Sequence, residues 1–284
     1  AQGQAYKVLG WDASGIVKPV GPEVTLFKPG DRVWYAGSIA RPGTNSELHL
    51  VDVRIVGHAP KSLDFAQAAA LPLTAITAWE MLFDRLGIAP GKHPSHKTLL
   101  IIGASGGVGS ILTQLATRLT SLTVIGTASR PETQAWVKEL GAHHVIDHSQ
   151  PIADELKRIG FPTVDLIVSL TQTDLHFAQI VEAIAPQGKF GLIDDPASLD
   201  ITKLKRKSVS VHWELMFTRA LFGTDDMIGQ HRLLNEVAAL VDAGLIRTTL
   251  AERFGSINAD NLKRAHALIE SGKARGKVVL ENWG

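Results

Sequence analysis

Cysteine is absent from the chain. No disulfide can form, and no zinc site can be built on thiolates. Charge of either sign is in short supply as an excess: 29 Lys and Arg stand against 28 Asp and Glu, a net charge of +1. Nothing in that balance points to nucleic acid or to an anionic membrane as a partner. Long apolar runs are missing too. The segment 98–102, Thr-Leu-Leu-Ile-Ile, is far too short to span a bilayer. Internal repeats and low-complexity stretches are not visible. The first residues do not read as a secretion signal, so a soluble cytoplasmic protein is expected.

What is present is the material of a folded core. Of 284 residues, 45% are hydrophobic and 20% are charged, which excludes disorder as the main state. At roughly 150 residues per domain the length predicts two domains. The densest run of like charge, Lys203 to Lys207, reads as a solvated loop.

The texture changes along the chain. The first 70 or so residues are rich in turns, with Gly21-Pro22, Lys28-Pro29-Gly30-Asp31 and Arg41-Pro42-Gly43. Short β-type runs at 15–20, 32–36 and 47–53 lie between them and predict an irregular all-β unit. Residues 65–86 are rich in Ala and Leu and predict helices, stopped at Gly87. From 98 to about 215 strands and helices alternate: strands at 98–103, 122–127, 144–147, 165–170, 189–193 and 209–213, helices at 109–119, 131–140, 152–159 and 175–185. Strands of this kind predict a parallel sheet covered on both faces. Two helices, 231–243 and 261–271, and a strand at 277–280 follow.

The first strand of the alternating region runs into Gly103-Ala104-Ser105-Gly106-Gly107-Val108-Gly109-Ser110, which opens the first helix. A dinucleotide loop belongs at that place, because glycine lets backbone N–H groups approach a pyrophosphate and the helix N-terminus favours the anion. Ser105, Gly106, Gly107 and Val108 are the expected contacts. The plainer reading is a turn kept glycine-rich only for strand–helix packing. A P-loop is excluded, since no Lys-Ser or Lys-Thr follows.

The second strand ends Gly126-Thr127-Ala128-Ser129-Arg130, without the acid that accepts from the ribose of NAD. Arg130 offers a fixed cation and a donor fork for a 2′-phosphate, and Ser129 a hydroxyl. The expected cofactor is therefore NADPH. Ser129-Arg130-Pro131-Glu132 also fits a helix capping box.

Several motifs together resemble the medium-chain dehydrogenase/reductase superfamily, and within it the zinc-free quinone oxidoreductases, the zeta-crystallin-like branch. They are residues 9–17, Leu-Gly-Trp-Asp-Ala-Ser-Gly-Ile-Val; Val24 to Phe27 followed by Gly30-Asp31-Arg32-Val33; Ala68-Ala69-Ala70-Leu71-Pro72; the loop at 103–110; and Gly276-Lys277-Val278-Val279-Leu280. The resemblance implies an α/β fold: a Rossmann-type doubly wound parallel sheet at 74–219, and a GroES-like, mostly β catalytic domain at 1–73 and 220–284. It also implies that the chain begins about one-fifth of a chain late, judged against usual two-domain lengths.

Zinc-dependent relatives place a histidine ligand in Gly-His-Glu, and the matching triplet here is Gly10-Trp11-Asp12. An indole cannot coordinate zinc, so no catalytic metal is expected. His93, His96, His143, His144 and His148 form no ligand constellation in the sequence. Without a Lewis acid, hydride transfer to a quinone or an α,β-unsaturated carbonyl is easier than alcohol oxidation. The short-chain dehydrogenase mechanism needs Tyr-x-x-x-Lys beyond the glycine loop, and the only tyrosines are Tyr6 and Tyr35. Tyr35 is the candidate donor to a substrate carbonyl, or else a packed barrel tyrosine. Further cofactor contacts implied by the resemblance are Thr77, His148, Gln172, His212, Trp213, Glu214 and Lys277; Asp194, also expected at the cofactor, and Asp195 after the fifth strand depart from the family, which often has glycine there. It implies a two-fold homodimer through the edge strand at 209–213, unless the segment 215–222 covers that edge. A protein that binds NADPH without turnover, and a zinc alcohol dehydrogenase, remain as other readings.

Overall fold

A computed structural model describes residues 6–283. The chain divides into two units, one running through Ile76 and resuming at Met216, the other Thr77–Leu215.

In the first unit three short antiparallel strands form one sheet: β1 (Ala13–Ile16), β2 (Arg32–Tyr35) and β3 (Val56–His58), in the order β1-β2-β3. Gly15 faces Val33 and Tyr35 faces Val56 in the register. Phe27, Val33, Tyr35 and Val56 form the small core on this sheet. The strand expected at 47–53 is not formed. Those residues run as loop into a single 3-10 turn, Val53–Ile55, and the third strand comes after it. Alternation of Leu48, Leu50 and Val51 with polar residues misled the expectation, because Leu48 and Leu50 are more than 70% exposed.

Helix α1 (Phe65–Ala69) opens with a formed capping box, Asp64 accepting from the Gln67 N–H and Gln67 closing back on Asp64. Pro72 opens α2 (Pro72–Trp79), which continues as a π-helical turn, Glu80–Arg85.

In the second unit, β4 (Thr98–Ile102), α3 (Gly107–Leu119), β5 (Thr123–Thr127), α4 (Pro131–Glu139), β6 (His144–Ile146), α5 (Ile152–Arg158), β7 (Val164–Ser169), α6 (Thr173–Ala183), β8 (Ile184–Leu192) and β9 (Ser210–Trp213) follow in turn. All six strands are parallel, in the order β6-β5-β4-β7-β8-β9. The order reverses between β4 and β7, the switch point of a doubly wound fold. All five residues of β4 are buried, as a strand covered on both faces requires. Leu100, Ile125, Ile167, Phe190 and their neighbours make the core. Each such side chain contributes about 1.5–3 kcal/mol by leaving water.

The basic run before β9 is not a solvated loop. Ile201–Lys207 is a 3-10 helix, and the Lys207 ammonium donates to the carbonyls of Val181, Glu182 and Ile184 at 2.9, 2.8 and 2.6 Å. These carbonyls at the end of α6 have lost their helical partners, and a cation there is also favoured by the helix dipole.

The first unit resumes with α7 (Thr218–Phe222), α8 (Gly229–Asp242), β10 (Leu250–Arg253), α9 (Ala259–Glu270) and β11 (Lys277–Val279). Strands β10 and β11 pair in parallel, and β10 was not anticipated from the sequence. Its short, half-exposed pattern Leu-Ala-Glu-Arg carries little β signal.

Candidate functional sites

The loop after β4 is built by glycines that do different things. Gly103 sits at φ +82°, a left-handed conformation that glycine adopts without strain. A Cβ on Gly109 would lie 2.3 Å from the Gly103 carbonyl oxygen, so that glycine lets helix and strand meet. Gly106 answers to neither need. Its φ of −73° suits any residue, and a Cβ there would meet only the Gly103 oxygen at 3.5 Å. Packing within the fold therefore explains Gly103 and Gly109 but not Gly106. Gly106 is the N-cap of α3 and supplies no side-chain cap. The first-turn N–H groups, those of Gly107 and Val108 among them, have no carbonyl partner within the helix, and the space a Gly106 side chain would fill is open save for the Gly103 oxygen. A phosphate-bearing group fits that cradle.

The other candidates of this unit that follow strands share the same end of the sheet. In a parallel sheet the residues that follow each strand lie at one end, and Ser129-Arg130 follow β5, His148 follows β6, Gln172 follows β7, Asp194 follows β8, and Trp213-Glu214 close β9. The capping box expected at Ser129 is not formed. Arg130 is the N-cap residue of α4, Pro131 takes the first helical position, and no side-chain cap bond is made. Instead Arg130 Nε donates to Glu132 Oε1 at 2.7 Å on the exposed face. Proline in the first turn moved the helix start one residue beyond the serine.

His148 and His176 stand edge to face, ring centroids 6.1 Å apart. Burial pulls the His148 imidazole below the usual histidine range; Asp147 opposes this and Arg130 adds to it. Burial does the same to His176, helped by His148 and opposed by Asp174 and Asp194. His176 was not singled out from the sequence, since a histidine inside an amphipathic helix carries no mark of its own. Gln172, exposed and in the left-handed region at φ +50°, turns the chain into α6. Asp194 accepts from the backbone N–H of Thr173 at 2.9 Å and from its hydroxyl, and so caps that helix.

Three candidates are engaged in ways the sequence did not show. The Glu214 carboxylate is fully buried and accepts from Arg85 Nε at 2.7 Å, while Glu80 lies 3.7 Å from the same guanidinium. The His212 ring lies 2.9 Å from the Ser210 hydroxyl. Lys277, expected to reach a cofactor, donates to Asp12 Oδ2 at 2.7 Å within the first unit. Thr77 is buried in α2, and Trp213 is 55% exposed at the sheet edge. His143 is structural, its Nδ1 accepting from the Val124 N–H at 2.9 Å.

In the first unit a cavity of about 920 Å³ is lined by β1, by Tyr35 of β2, by the loop 44–51 and by the chain after β11. The Tyr35 hydroxyl lies 3.0 Å from His49 Nδ1, and His49 Nε2 lies 2.9 Å from the Pro42 carbonyl oxygen. Burial pushes the Tyr35 phenol up to about 12. His49 carries no mark of a site in the sequence, because the alternation across 47–53 points to a strand rather than to a loop facing a cavity.

The donor set does not suit a catalytic zinc. Trp11 occupies the ligand position with a group that only donates. Asp12 is committed, Oδ1 to the Leu73 N–H at 2.7 Å and Oδ2 to Lys277. Among the described residues no three His, Asp or Glu side chains gather as metal ligands. No helix among them is long and apolar enough to cross a membrane.

A six-stranded doubly wound sheet with a glycine loop at its switch point defines a dinucleotide-binding α/β protein. Comparison with known proteins places it further. Residues 140–280 match the family described as zinc-binding dehydrogenase. A zinc-type alcohol dehydrogenase-like protein of Staphylococcus aureus is 41% identical over 98% of this chain and 83% of its own length. The human mitochondrial NAD(P)H oxidoreductase RTN4IP1 is 32% identical over 96% of this chain and 69% of its own. A Rhizobium etli structure, provisionally described as a zinc-dependent alcohol dehydrogenase, superposes with a TM-score of 0.93 at 63% identity, covering 98% of this chain and 82% of that one. The Escherichia coli quinone oxidoreductase complexed with NADPH gives a TM-score of 0.80 at 25% identity, over 96% and 81%. The chain belongs to the medium-chain dehydrogenase/reductase superfamily, in its zeta-crystallin-like, quinone oxidoreductase branch. Its fold is accordingly a Rossmann-type α/β sheet joined to a GroES-like, mostly β unit.

Proposed function

We propose that this protein is an NADPH-dependent, zinc-independent oxidoreductase that passes hydride to a quinone or to the β-carbon of an α,β-unsaturated carbonyl. The observation that carries the reading is Gly106, a glycine that the packing of its own loop does not require. Bound reduced nicotinamide would supply the hydride. The chain's residues would bind and orient: Gly107 and Val108 N–H groups, with Ser105 beside them, at the pyrophosphate, and Arg130 with Ser129 at the 2′-phosphate. His148 and Gln172 lie at the same end of the sheet, toward the adenosine and ribose. His212, Trp213 and Thr77 belong to the nicotinamide side in this reading, and Asp194, whose carboxylate caps α6, stands just past the end of β8. Glu214 acts through Arg85 and Lys277 through Asp12, since both are already paired. Tyr35 donates to the acceptor oxygen.

A zinc alcohol dehydrogenase is disfavoured by Trp11 and by the committed Asp12. The relatives' names support oxidoreductase chemistry, and the NADPH complex of the Escherichia coli protein supports the cofactor class. Partners in this reading are a small-molecule acceptor and a second copy of the chain through β9, in a cytoplasmic setting. The test is absorbance of NADPH at its reduced band with a panel of quinones and enones. Consumption with at least one acceptor, faster with NADPH than NADH, supports the proposal. Tight NADPH binding with no consumption across the panel would favour a binding protein without turnover.

A further inference from the structure

The first-unit cavity holds a chain of polar groups that the sequence reading did not foresee. A carbonyl oxygen only accepts, so the 2.9 Å contact to Pro42 fixes the hydrogen of His49 on Nε2. In the neutral ring Nδ1 is then bare, and it accepts from the Tyr35 hydroxyl at 3.0 Å. The two rings lie 13° from parallel with centroids 5.5 Å apart, which keeps the hydroxyl and Nδ1 in register. Both residues line the cavity of about 920 Å³. In this state the phenol hydrogen points at His49, and the phenol oxygen can only accept from a ligand.

A second proton reverses the direction. When His49 is charged, both ring nitrogens donate, Nε2 to Pro42 and Nδ1 to the phenol oxygen. The phenol hydrogen must then turn away from His49, toward the cavity. We propose that Tyr35 and His49 form a two-step proton relay that protonates the oxygen of a carbonyl or quinone acceptor held in this cavity, with His49 as the proton store and Tyr35 as the donor. This rests on the hydride-transfer reading above.

The step balances. An acceptor that has taken hydride, from reduced NADPH, carries an oxygen with one negative charge. The Tyr35 O–H bond breaks and its proton goes to that oxygen. The proton on His49 Nδ1 passes to the Tyr35 oxygen. His49 is left neutral, its Nε2–H still on Pro42, in the arrangement seen here, and a proton from water restores the charge. Burial pushes the Tyr35 phenol up to about 12, so a proton from His49 spares the site a buried phenolate. Histidine is the side chain whose own range suits the store. The charged groups of the cavity wall are Asp12, paired with Lys277, Glu281, paired with Arg253, and Lys18 and Glu47, with Arg41 next to Pro42 in the same loop.

His49→Gln is the informative variant. Its amide can accept from Tyr35 and donate to Pro42, so the hydrogen bonds survive, but it cannot hold the proton. Enone reduction by the full chain is followed against pH, using benzylideneacetone with NADPH, for wild type, His49→Gln and Tyr35→Phe. The expected result is a kcat lower by about 10²-fold in both variants, the usual weight of general acid catalysis. KM and NADPH affinity should stay within about twofold, and the fall of kcat with rising pH should vanish in His49→Gln. A second readout needs no turnover. The His49 ring resonances, assigned as those that shift in Tyr35→Phe, should show the hydrogen on Nε2 and a bare Nδ1 in the neutral ring of the cofactor-free protein. An unchanged kcat and pH profile in His49→Gln overturns the relay alone and leaves the hydride-transfer reading standing. So does a neutral His49 ring with its hydrogen on Nδ1, even if His49→Gln fails to fold. NADPH that binds but is not consumed by any enone or quinone overturns both.

Discussion

Lys277 Nζ lies 2.7 Å from Asp12 Oδ2, although 265 residues separate them along the chain. The pair ties the closing strand β11 to the segment before β1. Asp12 also accepts from the Leu73 N–H at 2.7 Å, just inside α2. Burial raises the Asp12 carboxyl above its ordinary range, and Lys277 opposes that rise.

The pair makes a pH-dependent prediction. Lys277→Met removes the cation and leaves a mostly buried carboxylate. Its cost should be about 2 kcal/mol at neutral pH, less than the roughly 3–5 kcal/mol of a fully buried broken pair because both groups keep some exposure. An acid whose folded pKa is raised favours folding below its unfolded pKa and loses that contribution as pH rises through the folded value. Without Lys277 the rise is larger. The gap between variant and wild type in urea unfolding should therefore widen as pH climbs from the acid side and nearly close near the ordinary carboxylate range. A gap independent of pH would mean that Asp12 is not the group left behind.

Two glycines of one loop should respond oppositely to a side chain. Gly106→Val meets only one atom, 3.5 Å from its Cβ, so stability should change by less than about 1 kcal/mol. NADPH binding, followed by its fluorescence, should weaken at least about 100-fold, or roughly 2.8 kcal/mol. Gly109→Val places a Cβ 2.3 Å from a carbonyl oxygen and should unfold the unit or cost at least about 3 kcal/mol. Normal NADPH binding by Gly106→Val would move the phosphate elsewhere.

Arg130 carries the choice between the two dinucleotides. Arg130→Asp should weaken NADPH by about 2–3 kcal/mol, the scale of a charge-assisted contact, and NADH hardly at all. Glu132 already draws on the guanidinium through Nε. Glu132→Gln should therefore tighten NADPH a few-fold at low salt, and the gain should fade as salt screens the site. Titration of both cofactors into the three proteins decides it; equal losses for NADPH and NADH in Arg130→Asp would clear Arg130 of the role.

Strand β9 is the outermost strand of its sheet, next to β8. An unprotected edge invites pairing, and Trp213 at its end is 55% exposed. The protein should sediment as a dimer at micromolar concentration. A monomer there would rule the edge out as an interface.

The alternation of strands and helices from β4 to β9 was legible because it is local. Each strand announces itself by a buried apolar run and each helix by its own period. The glycine loop was legible for the same reason: its residues are contiguous, and a strand before and a helix after fix its place. Residues following parallel strands must share one end of the sheet, so the sequence alone brings Arg130, His148, Gln172 and Asp194 to the same side. What the sequence could not supply was partnership. That Glu47 to Val53 is loop, that His49 meets Tyr35, that Lys207 closes the end of α6 and that Lys277 meets Asp12 all depend on segments distant along the chain. A polar side chain in a sequence carries its donors and acceptors, but which of them are spent is set by what folding brings within 3 Å. That is why the sequence by itself determined the class of cofactor site, while only the tertiary structure decided that Gly106 leaves room for a ligand, that Glu214 and Lys277 are already paired, and that Tyr35 has a histidine behind it.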